Sequence, residues 1–126
     1  MPKVAPDPTI DGSLDLIALA TAMHVCSTLD TTPTFAEVTA ASLANVTLAP
    51  ADFTKAAGDV SGRKVTVAAK SGVAVTASGT ANHIALVTVT GSIVRYTTTC
   101  TSQALTAGGG NTVSIPAWKV EVQAPT

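Results

Sequence analysis

The sequence predicts a mainly β fold, an antiparallel β-sandwich-like domain with one or two short N-terminal helices. Three observations point there. Thr supplies about one residue in six, far above ordinary usage, and Thr and Val are β-branched residues that suit a pleated surface. From Asn45 onward, short alternating runs are separated by turn signals rich in Gly and Ser. Hydrophobic residues make up 46% of the chain but aromatics only 3%, so the core must be built from Val, Ile, Leu and Ala. Such side chains bury little area each, at roughly 25 cal/mol per Å². Burial between subunits would therefore add usefully to the stability of a 126-residue chain.

The elements follow in order. Residues 1–10 carry Pro2, Pro6 and Pro8, which disfavour helix and suit an extended N-terminal arm. Residues 11–126 then form a single β-rich domain. Asp11 or Ser13 is placed to cap a helix over 13–22, with Leu14, Ile17, Ala18 and Thr21 on one face. Residues 23–27 suit a strand. Thr34, with Glu37 three residues on, has the spacing of a capping box for a second helix over 35–43. Phe53–Ala57 is a short strand, followed by a turn cluster at 58–62.

Three hairpins are expected next. The first joins 63–69 to 73–77 through Lys70-Ser71-Gly72, pairing Val67 with Val75 and placing Gly at the left-handed position. The second turns at Gly91-Ser92, pairing Val87 with Tyr96 and His83 with Cys100. In that register Arg95 and Tyr96 point to opposite faces, and the face holding Val87 and Tyr96 is the buried one. The third has Gly108-Gly109-Gly110-Asn111 at its tip. Beyond it Trp118, Val120 and Val122 alternate with Lys119, Glu121 and Gln123, the clearest half-buried strand in the chain.

Charge and motifs exclude more than they assign. The net charge is -1, charged residues are 12%, and no basic stripe is visible. Nucleic-acid binding by counterion release is therefore not expected. MPKVAPDPTI lacks the apolar core of a secretory signal, and LIALATAM (16–23) is too short to span a bilayer. Synthesis in the cytoplasm and no membrane partner are expected. His24, Cys26, His83 and Cys100 are all the His and Cys present. Together they could satisfy a tetrahedral zinc ion, but no CxxC or HExxH spacing accompanies them. The plainer reading is buried thiols and hydrogen-bonded histidines, with a Cys26–Cys100 disulfide as a further alternative. A Cys/His nucleophile lacks any recognised context, and the carboxylates sit mostly in turns and helix starts. Gly108-Gly109-Gly110 lacks the Lys-Ser/Thr of a phosphate loop. No catalytic residue, metal or cofactor is assigned, and the chain is not expected to be an enzyme.

Five segments carry a resemblance: MHVCS (23–27), DFTKAAGDVSGRK (52–64), SGTANHIALV (78–87), YTTTC (96–100) and NTVSIPAWKVEV (111–122). In these the chain resembles a family of small tailed-bacteriophage virion proteins associated with capsid decoration. The resemblance implies a structural virion protein, made in the bacterial host cytoplasm, that binds the outer capsid surface as a decoration or cement protein. It implies the major capsid protein as partner and a homo-oligomer, with a trimer as first expectation. A tail or receptor-binding module of the same kind of particle is the alternative, and a small zinc- or thiol-dependent enzyme is the third reading. Lys3 and Val4 in the arm, and Arg63 and Lys64 in the basic turn, are the candidate partner contacts.

Overall fold

The computed structural model describes residues 12, 14–59 and 62–122. The expected arm, with Lys3 and Val4, lies outside the described residues. Nine strands, two short α-helices and one 3-10 helix are described: α1 (residues 14–17), β1 (Ala22–Cys26), α2 (Phe35–Ala41), β2 (Ser42–Thr47), the 3-10 helix (Pro50–Asp52), β3 (Phe53–Ala57), β4 (Arg63–Val67), β5 (Lys70–Ala74), β6 (Gly79–Thr88), β7 (Ile93–Leu105), β8 (Thr112–Ile115) and β9 (Trp118–Val122). They form three antiparallel sheets, ordered β2-β1-β6-β7, β3-β4-β9 and β5-β8. The mainly β architecture is the one expected from the composition.

α1 stops earlier than the expected 22. The amides of Leu19 and Ala20 bond to carbonyls three residues back, Leu16 and Ile17, which tightens the last turn. Thr21 then joins the sheet, its amide donating to the Val87 carbonyl and its hydroxyl accepting from Val89 N–H. α2 starts as predicted, with reciprocal bonds between Thr34 and Glu37. It ends at Ala41 because Ser42 turns extended (ψ 126°) and opens β2, a strand the periodicity did not reveal.

The first expected hairpin does not form. β4 pairs with β3 on one side and β9 on the other, so Val67 faces Phe53 and Trp118, not Val75. β5 instead pairs with β8. Gly72 does adopt the left-handed conformation (φ 65°), but within an irregularity of β5 between Lys70 and Val73. The alternation in β9 gives the reason: Val65 and Val67 find a fully apolar row in Val120 and Trp118.

The second hairpin forms with a shifted register. Thr88 pairs with Ile93, Val87 with Val94 and Leu86 with Tyr96, so Arg95 is the bulged residue. Gly91 is left-handed (φ 88°) as the third residue of the turn that Ser92 closes back to Val89. The bulge moves Tyr96 to the face of Ile84 and Leu86, away from Val87. The third hairpin is also replaced. The Gly108–Gly110 turn links β7 of one sheet to β8 of another.

Two cores result. The larger lies between the β2-β1-β6-β7 sheet and the two smaller sheets, and includes Leu14, Met23, Leu86, Val65, Val67, Val73 and Ile115. The smaller lies on the opposite face of the first sheet, where Val38 of α2 covers Ala22, Cys26, Ala85 and Val87. Sheet β2-β1-β6-β7 is thus covered on both faces around β1, all five of whose residues are buried.

Candidate functional site

The four His and Cys residues do not converge. Cys26 faces His83 across β1 and β6, but His24 faces Ala85 and His83 faces Thr99. His24 is buried, its Nδ1 lies 2.8 Å from Ser42 Oγ, and burial holds its pKa below the usual value. His83 Nδ1 lies 2.7 Å from Asn82 Oδ1. Cys26 is wholly buried, and its thiol lies 3.7 Å from the Val38 carbonyl under α2. Burial, with a smaller contribution from Cys100, pushes its pKa up to about 12. Such a thiol stays protonated and is a poor nucleophile. Among the described residues, no three of His, Cys, Asp and Glu gather as metal ligands.

Both cysteines are free. β6 lies between β1 and β7, which sets Cys26 and Cys100 two strand spacings apart, roughly 10 Å. A disulfide needs Cα atoms within about 7 Å. The expected pairing of His83 with Cys100 fails because residues 100–102 bulge opposite Asn82.

The basic turn is largely paired within the chain. Lys64 Nζ bonds Asp59 Oδ1 at 2.7 Å, and Lys119 pairs with the other oxygen of Asp59. Lys64 also sits opposite Glu121 across β4 and β9, while Arg63 sits opposite Val122. This outer face is a network of opposite charges. Its ion pairs are partly exposed and each contributes about 0–1 kcal/mol.

Two surface features were not legible as motifs. The first is apolar. Among the described residues, four large hydrophobic side chains are exposed: Leu16 (55%), Leu19 (53%), Val89 (54%) and Ile93 (40%). All lie at one end of the first sheet. The Thr88 hydroxyl donates to the Leu19 carbonyl, Val89 N–H donates to Thr21, and Ile93 is the register partner of Thr88.

The second feature is a groove of about 480 Å³, whose lining includes Val25, Ile84, Gln103, Ile115 and Trp118. Its rims are three strands, β7, β8 and β9, each at the end of its sheet. The rings of Tyr96 and Trp118 stack across the gap between sheets, with centroids 6.0 Å apart. The Trp118 indole N–H is the one buried side-chain polar atom without a partner among the described residues. The signal in the sequence was the uncharged run TTTCTSQA (97–104), but its position at a sheet end depended on a topology the sequence did not reveal.

No family model, curated protein or solved structure matches the chain.

Proposed function

We propose that this chain is a structural protein of a tailed-bacteriophage particle, binding and stabilising the outer capsid surface as a decoration protein. The cluster Leu16, Leu19, Val89 and Ile93 carries the proposal: every large exposed hydrophobic side chain among the described residues lies at one end of the molecule. A concentrated apolar patch is the usual mark of a protein-contact surface. The low charge, the small-residue core and the five resembling segments support the same reading. In this reading the partners are the major capsid protein and further copies of the chain, and Lys3, Val4, Arg63 and Lys64 are contact candidates. Many weak contacts made by linked subunits on a symmetric shell add up through avidity.

The test is imaging of phage particles carrying the labelled protein, alongside a Leu19→Asp, Val89→Asp double variant. Label at regular positions on heads, lost with the double variant, is the expected result. Label at tail tips would replace this proposal with a tail-module function, and an unlabelled particle would overturn both. Deletion of residues 1–10 is expected to reduce head occupancy while leaving the far-ultraviolet circular dichroism unchanged.

A further inference from the structure

We propose that the groove between β7 and β8–β9 receives residues 2–10 of a second copy of this chain as an added β-strand. The inference rests on the oligomeric part of the reading above and not on the capsid as partner.

The acceptor is open backbone. β7 is 13 residues long and ends its sheet, while β8 and β9 end theirs on the same groove. Edge strands in stable proteins are normally blunted by charge, proline or brevity. β7 contains no proline, and its single charged residue, Arg95, donates to Thr88 Oγ1 on the neighbouring strand. Residues 101–104 are all exposed. The bulge at 100–102 divides this edge, so an incoming strand pairs on one side of it. Core residues Val25 and Ile84 line the groove, so an occupant needs an apolar face. The buried, unpartnered indole N–H of Trp118, which also lines the groove, needs an acceptor, and an added main chain supplies carbonyls.

The donor fits by parity. Read as an extended strand, residues 2, 4, 6, 8 and 10 are Pro, Val, Pro, Pro and Ile, an apolar face. Residues 3, 5, 7 and 9 are Lys, Ala, Asp and Thr, the other face. The backbone groups alternate in the same way. All three prolines share one parity, so the N–H groups of Lys3, Ala5, Asp7 and Thr9 form one complete edge. The other edge keeps only those of Val4 and Ile10. Such a segment can add to one open edge and blocks further addition on its own outer side.

The oligomeric reading above makes the donor a second copy. Residues 11–14 join Ile10 to Asp15, five Cα steps that span up to about 17 Å, so the same chain is the other occupant that the cross-link must exclude.

Cys100 lines the groove, while Cys26 is buried. A Val4→Cys variant, with the new thiol on the groove-facing parity, treated with a short bis-maleimide should therefore give a ladder of covalent dimers and higher oligomers. The ladder should vanish in Val4→Cys, Cys100→Ser. A cross-link formed within one chain would overturn the second-copy assignment. No cross-link, or a ladder that survives loss of Cys100, would overturn the groove assignment. Trp118 is the only tryptophan, so deleting residues 2–10 should shift its emission to the red in the still-folded protein. Unchanged emission would also count against the groove. Both readouts use purified protein without particles, so they stand or fall separately from capsid binding.

Discussion

β3 and β7 both end a sheet, yet they are protected very differently. β3 is five residues long and follows Pro50 of a short 3-10 helix. Its Lys55 shares the row of Val65 and Val120, so a charge stands on the inward face of the edge, engaged by Asp15. An incoming strand there would bury that charge at a large cost. β7 has more than twice the length and, beyond Arg95, only uncharged residues. The contrast teaches that this small-residue fold blocks one edge and leaves another open. The open one lies on the groove with Trp118.

Both edges rest on the same core, so the largest effect comes from that core. Leu86 is fully buried and faces Met23 and Tyr96 across its neighbouring strands. Leu86→Ala should destabilise by about 3 kcal/mol, within the range for large-to-small core changes. Urea unfolding would measure it. A loss below about 1 kcal/mol would mean that the core relaxes around the cavity, and that the two edges are less rigidly joined than argued.

The two faces of the first sheet offer a smaller test. α2 covers Cys26 on one face, and the groove exposes Cys100 at the side. Thr34→Ala removes the hydroxyl that caps α2 and should cost about 1 kcal/mol. Alkylation of Cys26 should speed up while that of Cys100 stays constant. Equal acceleration at both would show that the cap supports the whole domain and not one face.

How much of this was readable in the sequence depends on whether the cause was local. The Thr34–Glu37 box and the β9 alternation were legible, because cap and pleat are set by neighbouring residues; the left-handed conformation of Gly72 was also expected, but in a hairpin turn that does not form. The partners of β4, β5 and β8 were not. An alternating Val row can pair with any other apolar row, and local spacing favoured the nearest one. The register of β6 and β7 was missed by a bulge at Arg95, which periodicity alone does not mark. The groove and the exposed cluster both followed from that non-local pairing.

Acidification probes the covered face again. The His24 pKa is lowered by burial, so the unfolded chain binds the proton more readily than the folded one. Stability is then complete above the unfolded value of about 6.5 and falls as pH drops through the lower folded value. Unfolding midpoints should decline from pH 7 toward pH 5, and His24→Gln should flatten that slope. An unchanged slope in the variant would show that His24 does not set it; Asp52, whose pKa is lowered by the Ala49 N–H and by Lys70, loses its contribution only below the unfolded carboxylate range, at about pH 4.

The smallest change in stability should accompany the clearest change in assembly. Gln103 is exposed on β7 and lines the groove, so Gln103→Lys should alter folding stability by no more than about 0.5 kcal/mol. It gives the open edge the kind of charge that β3 already carries, and native mass spectrometry should show the proposed oligomer for the parent protein and monomer for the variant. Lys55→Thr is the reciprocal change, since it removes the inward charge from β3. New association, dependent on concentration, should appear. If Gln103→Lys assembles like the parent protein while Lys55→Thr stays unchanged, edge protection does not control pairing here. The Leu16, Leu19, Val89 and Ile93 cluster would then have to hold the copies together.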